Sequence, residues 1–148
     1  MSFKFNPNAA DERRYVTKAG TYDVTVQSFR KDYLQPRATF VVRIAFVTTE
    51  GETVFGDLFL TPDKDGGHSR VEQFVASTAT DQEAKGYLAA GDIEVDESFL
   101  ETVAEKAVGR NLKAKVTERK YTKKDGTEGV AYQASYFIRL PGGPSNPF

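Results

Sequence analysis

Residues 38–48 constrain the fold most. Phe40, Val42, Ile44 and Phe46 share one parity, and Val41, Arg43, Ala45 and Val47 share the other. Successive side chains of a strand point to opposite faces. A strand written this way is apolar on both sides and belongs in the middle of a sheet, with Arg43 as its polar exception. The chain therefore reads as mainly β. Its 11 Phe and 7 Tyr agree, because aromatic side chains favour strands.

Around this strand the apolar period changes twice. In residues 20–30, Tyr22, Val24 and Val26 alternate with Asp23, Thr25 and Gln27, which gives one buried and one polar face. Pro36 ends the ladder in a loop at 31–37. Glu50-Gly51 supplies a tight turn, and residues 53–60 form a third strand whose Gly56 marks a bulge or a bend. The short connections make these three strands an antiparallel meander. The period then becomes helical. Ser69 and Glu72 make a capping box ahead of Val71, Phe74 and Val75. Gly86 breaks the next stretch. A second helix begins near Asp96, with Phe99, Leu100, Val103 and Val108 at helical spacing and Gly109 at its C-terminal end. Period two returns at 111–121 and 130–140, on either side of an Asp125-Gly126 hairpin turn. Three strands, one or two helices, then two strands is the order of a five-stranded OB-fold-like barrel. That domain takes residues 1–140, and the Gly/Pro-rich residues 141–148 are expected to be a flexible tail.

Charge is segregated along the chain. Residues 110–124 hold seven basic side chains and one acid, while residues 92–105 hold six acids and neither Lys nor Arg. The net charge of −1 hides these opposed fields. With no cysteine, disulfides, thiolate catalysis and cysteine-bound zinc are excluded. No apolar run approaches the roughly 20 residues of a membrane helix. Residues 1–10 lack a signal-peptide core. A cytoplasmic location and no membrane partner are the expectation.

Catalytic machinery is not visible. The single histidine, His68, stands beside Gly66-Gly67 without evident partners and reads as a solvated residue before a helix. No nucleophile-base-orienter set appears, and no phosphate-loop Lys-Ser/Thr pair follows the glycines. The expectation is a non-enzyme with no metal and no cofactor.

What remains is a binding pattern. Proteins that hold single strands combine a positive groove with aromatic rings on which bases stack. In an OB-fold the second and third strands and the first and last inter-strand loops form that surface. On those elements lie Tyr33 and Arg37 in the first loop, Arg43 in the second strand, and Phe55 and Phe59 in the third. Lys113, Lys115, Arg119, Lys120, Tyr121, Lys123 and Lys124 belong to the basic run, and Tyr132 and Tyr136 to the last strand. Each carries a structural alternative. Tyr132 and Tyr136 share a parity with Ile138 and Leu140, which suits core as well as stacking. Phe55 and Phe59 oppose Leu58 and Leu60, and one of the two sets faces inward. Lys113 and Lys115 also suit a blunted sheet edge.

Three segments carry a resemblance: Met1-Ser2-Phe3-Lys4-Phe5-Asn6-Pro7, Lys18-Ala19-Gly20-Thr21-Tyr22-Asp23-Val24 and Val54-Phe55-Gly56-Asp57-Leu58-Phe59-Leu60-Thr61. They resemble a family of small bacteriophage proteins of unassigned function found in replication and recombination modules. The resemblance implies a phage protein acting near DNA in the host cytoplasm, with single-strand binding as its role. The ending is similar to that of bacterial single-strand binding proteins, whose acidic tails close in Pro-Phe and recruit partner enzymes. Pro147 and Phe148 match. The acidic run does not, since no Asp or Glu follows Glu128. Replication or recombination proteins are the partners that the tail implies. The alternative reading is a protein–protein adaptor or structural component without nucleic-acid binding. An exposed apolar patch in place of a basic-aromatic groove separates it from the first. Oligomeric state stays open, and a homo-oligomer is compatible with both readings.

Overall fold

The computed structural model describes residue 2 and residues 14–61 and 69–144. The element order is β1 (Gly20–Leu34), β2 (Thr39–Thr48), β3 (Thr53–Phe59), α1 (Ser69–Thr78), α2 (Asp81–Ala90), α3 (Glu97–Ala107), β4 (Asn111–Thr122) and β5 (Glu128–Ile138). The chain is mainly β, as its periodicity predicts. The expected places of His68 beside Gly66-Gly67, of the Ser69 cap and of Pro147-Phe148 lie outside the described residues and side chains.

The five strands close into one sheet in the order β1-β2-β3-β5-β4, with β4 returning to β1. All neighbours are antiparallel except β3 and β5, which run parallel and meet at Phe55 and Gln133. Closure demands a close approach at that seam. A Cβ on Gly56 would stand 3.1 Å from both the Ala134 carbonyl oxygen and the Phe46 ring, so only glycine fits without displacement. β1 serves two neighbours. Its first half pairs with β4 and its second half only with β2, and the ladder shifts register between Val26 and Ser28. Such a bulge bends a strand and sharpens its twist.

The interior holds the parity expected of β2: Phe40, Val42, Ile44 and Phe46 are all buried. Val24 and Val26 from β1, Val54 and Leu58 from β3, and Leu112, Ala114 and Val116 from β4 join them. One end of the sheet is closed by α1 and α3. Phe74 of α1 meets Phe46 and Phe137 with ring centroids 6.3 and 5.5 Å apart, and Leu100, Val103, Ala104 and Ala107 give α3 its buried stripe. Asp96 caps α3 by accepting the Phe99 amide at 2.8 Å, where the sequence places that helix start. Gly109 follows its end at φ 88° and donates to the Val26 carbonyl.

Three expectations are corrected. Three helices stand between β3 and β4, not one or two. Gly86 lies within α2 instead of breaking the stretch. A mid-helix glycine costs roughly 1 kcal/mol against alanine, but α2 has a strong start. The Thr80 hydroxyl accepts the Glu83 amide at 3.2 Å, and the Glu83 carboxylate accepts the Thr80 amide at 3.0 Å. This capping box offsets about as much as the glycine costs. The predicted loop at 31–37 is also shorter. Residues 31–34 continue β1 and pair with β2 from Val42 to Thr39.

Candidate nucleic-acid interface

Because Val54, Gly56 and Leu58 face the interior, Phe55, Asp57 and Phe59 face outward. Arg43 lies opposite Asp57 on the neighbouring strand and shares that outer face. Gln133 of β5 lies beside Phe55 across the closing seam. These strands floor a concavity of about 450 Å³, into which Arg43, Phe55, Phe59, Arg119 and Tyr132 converge with Arg70. Five predicted site residues from β2, β3, β4 and β5 are thereby brought together. The Phe55/Phe59 alternative is resolved as outward.

Arg43 and Asp57 form a bidentate pair, with Nε to Oδ1 at 2.8 Å and Nη2 to Oδ2 at 3.1 Å. The hydrogen bond to Asp57 raises the guanidinium above its ordinary pKa. The pair presents a dipole to the concavity, not a free cation. Arg70 and Arg119 are different, since neither has an ion-pair partner among the described residues. Three guanidinium groups and one carboxylate leave the concavity net positive. A second concavity of about 450 Å³ holds Arg37 of the β1–β2 connection. Leu34 and Phe59 line both, so the two run into one continuous surface.

The other wall is an arm. β4 pairs with β1 only as far as Val116, and β5 meets β3 only at Gln133. Beyond those points, 118–122 and 128–132 pair only with each other. The arm turns at 123–126, where the Asp125 carboxylate accepts both the amide and the hydroxyl of Thr127, at 3.0 and 2.6 Å. Those hydrogen bonds hold its carboxyl below the usual range. Arg119, Lys120, Tyr121, Lys123 and Lys124 are all exposed on this arm. Tyr121 is 42% exposed, and its ring lies across Gly129, where an added Cβ would fall 2.4 Å from it. The ring thus covers backbone on one side while much of its surface stays exposed.

Lys120, Tyr121, Lys123 and Lys124 line neither concavity, and four predicted residues lie outside both the concavities and the arm. Tyr33 sits on β1, not in a loop. Its ring packs on Phe40, and its hydroxyl donates to Glu97 of α3 at 2.7 Å, which raises the phenol pKa. Lys113 and Lys115 flank no sheet edge, because β4 is paired on both sides there. Lys113 pairs weakly with Asp23 at 3.9 Å, and Lys115 lies 5.6 Å from the centre of the Tyr136 ring. Tyr136 is 49% exposed, whereas Tyr132 packs on the core. They do not share a face, because a register shift between Lys115 and Val116 inserts an extra residue in β5.

Arg70 and Asp57 are members that sequence reasoning missed. Arg70 follows the expected cap of α1, yet only the fold brings that helix start to the sheet. Asp57 was legible as the parity partner of Phe55 and Phe59. Among the described residues no group of three or more His, Asp or Glu is placed to hold a metal, and no helix is long and apolar enough to cross a membrane. In comparisons with known proteins the chain matches no family model and no curated protein.

Proposed function

We propose that this is a non-catalytic OB-type protein that binds single-stranded DNA with little sequence preference, in the setting of phage replication or recombination. The strand order, the long bent β1 shared by β2 and β4, the parallel β3–β5 seam and the helices between β3 and β4 support the OB reading. The observation that carries the function is the concavity on the outer face of β2, β3 and β5. It joins Phe55, Phe59 and Tyr132 to Arg70, Arg119 and the Arg43–Asp57 pair. Bases stack on Phe55 and Phe59 while the free guanidinium groups and the arm lysines meet phosphates. Phe55 and Phe59 lie on one face four residues apart, roughly 13 Å along the strand, which suits bases that are not immediate neighbours in an unpaired strand. A duplex hides those base faces, so preference for single strands follows.

Titration of labelled single-stranded and duplex oligonucleotides by anisotropy at two salt concentrations tests this. Tighter binding of the single strand, weakened by salt, is the expected result. No binding at micromolar protein and low salt refutes it. The adaptor reading also has an observation in its favour, an exposed apolar groove among the helices. Since the basic-aromatic concavity is present as well, the groove is the additional feature and not a replacement.

A further inference from the structure

α1, α2 and α3 surround a cavity of about 700 Å³ with a largely apolar lining, including Val75, Tyr87, Leu88, Val95 and Phe99, to which Glu72 and the Asp81–Arg139 ion pair add charge. It shares no lining residue with the basic concavity. α2 contains no buried residue, and Leu88 is 83% exposed. A helix in a globular protein ordinarily buries its apolar stripe. α2 holds one wall of an open groove instead, tied down by the Glu83–Arg110 ion pair at 2.6 Å and the Tyr87–Phe99 ring contact. Exposed apolar surface of this extent marks an interaction site.

The rim of the groove is acidic. Asp92 and Glu94 alternate with Ile93 and Val95, which line the cavity. Both acids are exposed, and neither has an ion-pair partner among the described residues. They begin the stretch 92–105, which holds six acids and no Lys or Arg. The complementary surface is on the same chain. In the arm, Arg119 pairs with Ala131 on the face that lines the concavity, whereas Lys120 pairs with Val130 on the other face. Val130 is 46% exposed, and Lys123 and Lys124 stand at the tip. The arm therefore offers a second basic face with an apolar centre.

We infer that the helical groove receives the β4–β5 arm of a second copy of this chain, head to tail. Val130 and the stem of Lys120 cover the exposed Leu88 and Val95, and in the absence of DNA Lys120, Lys123 and Lys124 meet Asp92 and Glu94. The contact is heterologous, so each bound copy keeps a free arm or a free groove, and the assembly extends as an open chain. Opposite fields on the two surfaces steer the encounter and make it sensitive to salt.

Sedimentation of the full chain over a range of concentration, at low and high salt, tests the inference. Two charge-reversed variants complete it: an arm variant (Lys120→Glu, Lys123→Glu, Lys124→Glu) and a rim variant (Asp92→Lys, Glu94→Lys). All five positions are exposed, so circular dichroism should report an unchanged fold. The native chain is expected to associate at low salt and to revert toward monomer at high salt. Each variant alone is expected to be monomeric, and an equimolar mixture of the two to regain association, because the reversed arm now fits the reversed rim. A native chain that stays monomeric under all conditions overturns the inference. So do variants that associate like the native chain, or a mixture that stays monomeric. The rim variant should bind a short single strand as the native chain does. Association without any DNA binding would sink the proposed function and leave this contact standing.

Discussion

Tyr121 carries the plainest single-residue prediction. Its ring covers Gly129 and is 42% exposed, so Tyr121→Ala should weaken single-strand binding by roughly 1–3 kcal/mol if a base stacks there. A collapse of the melting temperature instead would make the ring a structural cover for the arm. Asp57 gives a prediction of the opposite sign. It holds Arg43 in a bidentate pair and cancels its charge within the concavity. Asp57→Asn keeps the shape and frees the guanidinium. Binding should tighten, and the slope of log affinity against log salt should steepen by about 0.7 if Arg43 then meets a phosphate. A slope equal to the native one would show that no phosphate lies over the pair. Arg43 stands out in the sequence as the one charge on an apolar strand, but its partner sits across a ladder register that only the folded sheet fixes.

At the scale of elements, the basic arm and the helix α2 each make a separate claim. Replacing Lys120, Lys123 and Lys124 with Ala should flatten the salt slope by up to roughly two, at about 0.7 per phosphate contact on a single strand, with the fold intact. An unchanged slope with binding retained moves the phosphate contacts off the arm. For α2, the Arg110 hydrogen bond is the main reason that the Glu83 carboxyl titrates below its ordinary range. A folded pKa lowered in this way adds stability above the ordinary carboxylate range, and that stability is lost as pH falls through the depressed value. Native-chain stability should therefore drop more steeply with acid than that of Glu83→Gln, a difference that chemical denaturation at a series of pH values reads. The strands, α1 and α3 were legible because their apolar periods, and for α3 its Asp96 cap, are local signals. α2 was not, because Gly86 reads as a breaker and its capping box at Thr80 and Glu83 precedes a segment with no buried stripe. The parity of Tyr132 and Tyr136 was misread for a similar reason. A register shift leaves no mark in the sequence, yet it turns one ring toward the core and the other to solvent.

Across the whole molecule, closure of the sheet is what makes a site of residues remote in sequence. Arg43, Phe55, Arg70, Arg119 and Tyr132 come from β2, β3, α1, β4 and β5, and they meet because β3 and β5 join at Gly56 without a side chain between them. Gly56→Ala should accordingly destabilise the fold and loosen the concavity together, since its neighbour at 3.1 Å is a backbone oxygen that cannot swing away. Equal melting temperatures for the two chains would count against that seam. The central claim is that this surface takes an unpaired strand of DNA. Its most direct test is the affinity of the native chain for one oligonucleotide, alone and annealed to its complement, measured by anisotropy across a salt series. The single strand should bind more tightly than the duplex, with log affinity falling linearly as log salt rises. Equal or tighter binding of the duplex, or no binding of either at low salt, would contradict the account.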